Sequence, residues 1–351
     1  MWSYVARRLL YSIPVYLGII LIMMGALRLR DPVSAYLGKN ATAETALLKK
    51  ASMGLDRPFL PIGIEDPAEP FGVEPLLEVG RIGLYPPLKT QYVEFLWRIV
   101  RLDFGTAERP YRSWQFESDN VGAKLADAVW PTLKITIPAL ILTAGIAILV
   151  GLLSAAYRGS ILDRTLMVLV VLGMSISVVV FIVLGQVFGS SWLNQQLGFE
   201  LFSSNGYEPG IQNWVKYCAL PVIIGVVVGM GYDARFYRAV MVEETSRDYI
   251  TTAVAKGASR PKIIFVHMLK NAMIPVITRI MITIPFLITG SIVMEYQFRI
   301  PGMGKLLIDA IVNKDFPIIQ TFTAVLAGLF ILTNILTDVL YALVDPRVRL
   351  A

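Results

Sequence analysis

The feature that most constrains this chain is a set of six apolar stretches, nearly free of charge, each close to the ~20 residues a helix needs to cross a bilayer. The first, Leu9 to Leu27, has no charged residue and is bracketed by Arg7 and Arg8 before it and Arg28 and Arg30 after it. The others are Ile135 to Tyr157, Leu166 to Phe188, Trp214 to Tyr232, Ala272 to Met294 and Ile318 to Tyr341. Composition agrees: 55% of residues are hydrophobic and 17% charged, which is the balance of a multi-spanning membrane protein.

A cleaved signal peptide is the competing reading of the first stretch. Gly25, Ala26 and Leu27 run straight into arginine without a clean small-residue cleavage site, and further spans follow, so an uncleaved helix is expected. Orientation follows from charge. Arg7, Arg8, Arg158, Arg164, Arg235, Arg238, Arg247, Lys256, Arg260, Lys262, Lys270, Arg347 and Arg349 fall on one side of the predicted topology, against Lys216, Arg299, Lys305 and Lys314 on the short loops of the other. The positive-inside bias then places both termini in the cytoplasm. It also accounts for the net charge of +6 without nucleic acid.

Between the first two spans, residues 28–130 are soluble in character and are expected outside the membrane on the far face. Thr42 to Met53 reads as a helix with Lys49 and Lys50 in its last turn and Gly54 just beyond. Gln91 to Leu102 reads as a second, with Tyr92, Phe95, Leu96 and Ile99 on one face. Phe59 to Thr90 is rich in Pro, Gly and Glu and reads as an insertion with little regular structure.

The polar stretch from Glu243 to Thr278 breaks the membrane pattern. Gly257 suits a helix end that needs a left-handed residue, and Pro261 suits the first turn of a helix beginning near Ser259. The stretch therefore reads as helix, sharp break, helix.

Tyr249 to Gly257, YITTAVAKG, followed by a basic segment and NAMIPVIT, resembles the coupling loop of permease subunits in ATP-binding-cassette (ABC) importers, within the dipeptide, oligopeptide and nickel permease family. Asp248, Tyr249, Ala253, Lys256 and Gly257 match its core, Glu243 precedes it, and Asn271 and Pro275 continue it; Thr251, Thr252 and Ala253 stand near the place of the family's degenerate EAA letters. GLDRP at Gly54 to Pro58 and QYVEFLWRIVRLDFGTA at Gln91 to Ala107 resemble the family's outer-loop signatures. A third resemblance covers Glu295, Phe298, Pro301, Gly302, Gly304, Asp315 and Pro317, for which a tight turn and a short surface helix suffice.

The resemblance implies an all-α, six-helix membrane protein with the type I ABC importer (MetI-like) permease fold. It implies cytoplasmic termini, a first helix at 1–27, an extracytoplasmic region at 28–130 with its insertion at 59–90, a permease core at 131–345 containing a coupling loop at 239–271, and a cytoplasmic tail at 346–351. The implied partners are a second permease subunit, two ABC ATPase subunits, an extracytoplasmic solute-binding protein and membrane lipid. ATP and Mg²⁺ would belong to the ATPases, with no cofactor in this chain. The implied setting is a bacterial or archaeal plasma membrane, and the implied cargo a short peptide, with nickel or another small solute as the alternative.

Other features carry less. PGMGK at Pro301 to Lys305 lacks the spacing and the Ser or Thr of a phosphate loop. His267 is the single histidine and Cys218 the single cysteine, so neither a histidine metal cluster nor an intrachain disulfide can form. The 13 methionines are scattered, which suits gap filling between helices. Arg279 is the charge set farthest from either end of a predicted span and has two readings, a place on the solute pathway or snorkelling toward the surface; Ser175 and Ser177 are further pathway candidates. A transporter coupled to ions and working alone would need a carboxylate in mid-membrane, for which Asp338 is the candidate. A membrane assembly protein is the third class.

Overall fold

The computed structural model describes residues 2–29, 33, 36–37, 42–64, 72, 74–79, 82–107, 119–289 and 292–344. The expected tail at 346–351 and part of the insertion lie outside the described residues. In chain order the elements are α1 (Trp2–Ala26), α2 (Ala43–Ser52), β1 (Ile62–Ile64), β2 (Leu77–Val79), β3 (Ile82–Leu84), α3 (Gln91–Val100), α4 (Val121–Ala156), α5 (Ile161–Ser175), α6 (Val178–Leu184) and α7 (Leu193–Leu197). There follow α8 (Leu220–Glu244), α9 (Asp248–Ala255), α10 (Arg260–Lys262), α11 (Leu269–Thr289), α12 (Ile292–Gln297), α13 (Met303–Asn313) and α14 (Phe316–Val344). Single π-helical stretches at Gly185–Trp192, Val215–Ala219 and Ile263–Met268 join α6 to α7, lead into α8 and join α10 to α11.

Among the described residues, six helical segments are long and apolar enough to cross a membrane: Ala6–Ala26, Val121–Ala156, Val178–Leu197, Val215–Glu244, Arg260–Ile284 and Phe316–Val339. Their number matches the sequence expectation, but their limits differ because a charge-free run measures what lipid tolerates, whereas helical hydrogen bonding continues into water. Thus α4 begins at Val121, ahead of the run at Ile135, and α8 continues past Tyr232 through Asp233, Arg235 and Arg238 to Glu244.

The expectations for the third span need correction. Leu166 to Phe188 is not one helix: Ile176 is extended (φ −91°, ψ 134°), and Ser177 caps a new helix by accepting from the Val179 N–H at 3.4 Å. The segment after Phe188, expected as loop, remains helical to Leu197 and ends at Gly198. Pro275 lies within continuous α11.

Contacts divide the chain into two compact units. One comprises Met1–Leu9, Asp127–Ile308 and Leu329–Ala351, the other Leu10–Ala126 and Asp309–Gly328. Among the described residues the first holds two apolar cores. Ile182, Cys218, Val222 and Phe298 belong to one, and Leu152, Val170, Tyr237, Met241 and Met268 to the other.

In the second unit Ile20, Met24 and Ala324 are buried against Tyr92, Phe95, Leu96 and Ile99, the face of α3 that its spacing predicts. Tyr92 fixes that helix further by donating from its hydroxyl to the Leu17 carbonyl at 2.8 Å. The α2 helix starts where Thr42 accepts from the Thr45 N–H at 3.3 Å and stops before Gly54 at φ +66°. Phe59 to Thr90, expected to hold little regular structure, contains an antiparallel sheet in the order β1-β3-β2, pairing Ile62 and Leu77 with Leu84. Each strand is three residues with apolar ends (IGI, LEV, IGL), too short for periodicity to separate from loop.

Candidate functional site

The coupling stretch is built by local backbone chemistry. The α8 helix closes at Thr245, whose N–H reaches the Met241 carbonyl at 3.3 Å and whose hydroxyl reaches that of Val242 at 2.6 Å. Arg247 is extended (φ −77°, ψ 146°), and its guanidinium pairs with exposed Glu243 at 2.7 Å. Asp248 then opens α9, with its negative charge against the positive end of the helix dipole.

The end of α9 is a Schellman turn. Gly257 donates to Val254 O at 2.9 Å and Ala258 to Ala253 O at 3.1 Å, while Gly257 sits at φ +75°. A side chain there would be forced into the left-handed region that costs an L-residue roughly 1–2 kcal/mol. Ser259 begins the return with Pro261 in the first turn, and the chain runs on through the π-helical stretch into α11. Helix, break and helix fall where the sequence predicts.

Only Ile250 and Ala253 of α9 are buried, each 8% exposed, and Ile250 joins the apolar cluster of Met241, Met268 and Val276. Thr251, Thr252, Val254, Ala255, Lys256 and Gly257 are exposed. Tyr249 ties α9 back to the end of α8, its hydroxyl donating to Glu244. Burial, aided by Glu244, pushes the Tyr249 hydroxyl up to about 12. Asn271 donates to the His267 carbonyl at 3.1 Å.

Residues that the sequence did not single out anchor this stretch. Arg260 donates to the Ala156 carbonyl at 2.7 Å and stacks 4.9 Å from the Tyr157 ring, so the turn between α4 and α5 is fastened to the start of α10. In that turn Asp163 is 4% exposed and accepts from Ser154, from the Gly159 N–H at 2.9 Å and from both Nε and NH2 of Arg238 at 2.8 Å. The Arg238 guanidinium holds the Asp163 carboxyl well below the usual carboxylate range, against the opposing effect of burial. In sequence these residues are merely an inner turn and the end of a span.

Arg279 pairs with Asp233 of α8 at 3.1 Å and lies 5.9 Å from the Phe236 ring. Ser175 and Ser177 are exposed at the break between α5 and α6, where Ser175 donates back to Val171 O at 2.7 Å. Asp338 meets Arg8 at 2.8 Å, so the carboxylate required by an ion-coupled rival carries its own counter-charge.

The residues from Glu295 to Gly304 form a buried turn. Glu295, 1% exposed, accepts from the Thr132 hydroxyl at 2.8 Å and from the N–H groups of Gly304 and Lys305 at 2.7 and 3.2 Å. Thr132 in turn accepts from the Met303 N–H at 2.8 Å. Pro301 and Gly302 are buried, and a Cβ at Gly302 would collide with the Glu295 carboxylate and the Thr132 hydroxyl. Burial pushes Glu295 up, to about 7, against the pull of those three hydrogen bonds. Asp315 and Pro317 begin α14 in the second unit; Asp315 Oδ1 accepts from the Ile318 N–H at 3.4 Å, and Pro317 occupies the first turn.

Comparison with known proteins agrees with this geometry. The family described as binding-protein-dependent transport system inner membrane component matches residues 147–350. The probable peptide ABC transporter permease protein y4tP of Sinorhizobium fredii is 30% identical over 351 residues, covering 99% of this chain and 100% of that protein. A putative peptide permease protein of Brucella suis biovar 1 is 30% identical over 354 residues, and the glutathione transport system permease protein GsiC of Salmonella choleraesuis is 31% identical over 354, each match covering 99% of both chains. Six membrane-length helices, a helix-break-helix between the fourth and fifth of them, and a match across more than half the chain place this protein in the family of inner-membrane permease components of ABC importers, as a translocation subunit and not an enzyme.

Proposed function

We propose that this chain is one of two permease subunits lining the passage of a short-peptide importer in a bacterial or archaeal plasma membrane, and that α9 and Gly257 receive movement from one of two cytoplasmic ATPases. The observation that carries this reading is the presentation of α9. Ile250 anchors it in the core that also holds residues of α8 and α11, Tyr249 packs against that core, Ala253 is buried as well, and Asp248, Thr251, Thr252, Val254 and Ala255 are open for a partner's groove. Push on such a helix, and the force passes through Met241, Met268 and the Arg260 contact into three membrane helices. ATP and Mg²⁺ belong to the ATPase subunits, and a solute-binding protein delivers cargo on the opposite face.

Six crossings return the chain to its starting side. The Arg8–Asp338 pair between α1 and α14 supports both ends lying together, and the basic residues of the coupling stretch support that side being the cytoplasm. The cargo reading is supported by relatives named for peptide and glutathione transport. Titration of the cognate solute-binding protein tests it: peptide binding is expected, and tight nickel binding without peptide binding overturns the cargo. Purification of the tagged chain tests the assembly, with a sister permease and two ATPases expected to accompany it; recovery of the chain alone from intact membranes overturns it.

A further inference from the structure

The second unit contains a cavity of about 460 Å³ between the end of α1, the end of α2, α3 and the start of α14. Its size falls in the range of small-molecule sites. The lining is polar and positively biased, with Arg28, Arg57 and Arg98 against Glu94 and Asp103. Glu94 is already committed to both Arg57 and Arg98, and Asp103 accepts from the Gly105 N–H at 3.2 Å. Arg28 has no such partner: among the described residues its guanidinium meets only the Phe59 ring, 4.6 Å away.

Three lining residues carry buried polar atoms without a hydrogen bond, namely Arg28 Nε, Gln91 Oε1 and Thr321 Oγ1. The orientation of Gln91 is determined, because its Nε2 donates to the carbonyls of Leu55 and Arg57 and leaves Oε1 as the free acceptor. Thr321 is 1% exposed. The other threonines of α14, Thr323, Thr333 and Thr337, each donate to the carbonyl four residues back, which is the ordinary refuge of a helical hydroxyl. Thr321 does not. A buried polar group without a hydrogen bond is costly, so three around one cavity point to something that completes them.

The three atoms define the chemistry of that occupant. An uncompensated guanidinium N–H calls for an anionic oxygen, the amide oxygen calls for an N–H donor, and the hydroxyl accepts or donates. We infer that this cavity binds a zwitterionic group, an anionic oxygen acceptor paired with an N–H donor, with Arg28 holding the anion and Gln91 and Thr321 the polar remainder. Two sources carry that chemistry: a free short peptide, or the headgroup of a phosphatidylethanolamine molecule. The site is separate from the coupling stretch and does not depend on the cargo reading.

The test uses the full-length chain with its sister permease in nanodiscs, without solute-binding protein or ATPases, so its failure and a failure of the cargo reading are distinguishable. Radiolabelled trialanine is titrated in phosphatidylcholine discs, and lipid retained after transfer from mixed phosphatidylethanolamine and phosphatidylcholine discs is identified by native mass spectrometry. Saturable trialanine binding that weakens about tenfold both on C-terminal amidation and with Arg28→Gln assigns the site to free peptide. Selective retention of phosphatidylethanolamine that Arg28→Gln and Thr321→Val abolish assigns it to lipid. Either supports the site. Thr321→Val keeps the shape of the side chain and removes a hydroxyl that has no partner, so it is expected to fold even where Arg28→Gln does not. If neither probe is held, or if both are held equally by the two variants, the inference is overturned.

Discussion

Arg238 and Asp163 meet in a two-toothed pair, with Nε to Oδ1 and NH2 to Oδ2 both at 2.8 Å, so that α8 is fastened to the first turn of α5. Removing one partner of a buried pair leaves the other charge uncompensated, at a cost of about 3–5 kcal/mol. Asp163→Asn and Arg238→Gln are each expected to lower the unfolding midpoint in detergent by several degrees, and the double variant to lose less than their sum. Strict additivity would show that the two side chains do not act together.

Gly257→Val places a β-branched residue at φ +75°, in the wrong region of backbone space. The expected outcome is normal membrane insertion with loss of ATPase co-purification and of uptake, whereas Gly257→Asn retains part of both because Asn tolerates this conformation. Attachment and uptake left intact by Gly257→Val would remove α9 from the coupling role.

For Glu295 the sign of the pH dependence is fixed by the direction of its shift. A carboxyl raised in the folded protein binds its proton more tightly there than in the unfolded chain, so its stabilising contribution is full below the ordinary glutamate range. That contribution falls as pH rises toward about 7 and is flat above it. Thermal unfolding from pH 4 to pH 8 should show this fall, and Glu295→Gln should flatten it. An unchanged profile in the variant would assign the fall to other groups.

Arg279 and Asp233 are 43% and 18% exposed at the side chain, so the pair is only partly shielded and its worth lies in mutual neutralisation. Asp233→Asn or Arg279→Gln alone is expected to reduce uptake more than the two together. A double variant as impaired as the worse single one would mean that Arg279 acts on the solute rather than through Asp233.

Much of the fold and of the candidate site was legible because its causes are local. Loss of charge over ~20 residues selects helix in lipid wherever it occurs. Gly257 and Pro261 dictate a stop and a start from their own backbone limits, and Thr42 and Gly54 do the same for α2. The break at Ile176 lies within an uninterrupted charge-free run with neither Gly nor Pro at the bend, and strands of three residues carry no readable period, so neither the break nor the sheet is legible in the sequence.

What the sequence by itself determined is therefore the membrane character of the chain, the number of its spans and the helix, break and helix around Gly257, all set by properties of consecutive residues. Only the tertiary structure decided that Asp163 is held by Arg238, that Arg279 faces Asp233, that Glu295 is the buried hub of its turn, and that Arg28, Gln91 and Thr321 gather around one cavity. The physical reason is range. Capping and burial in lipid act over one turn or one span, whereas a charge finds its partner across 46 or 75 residues only once helices have packed and excluded water between them.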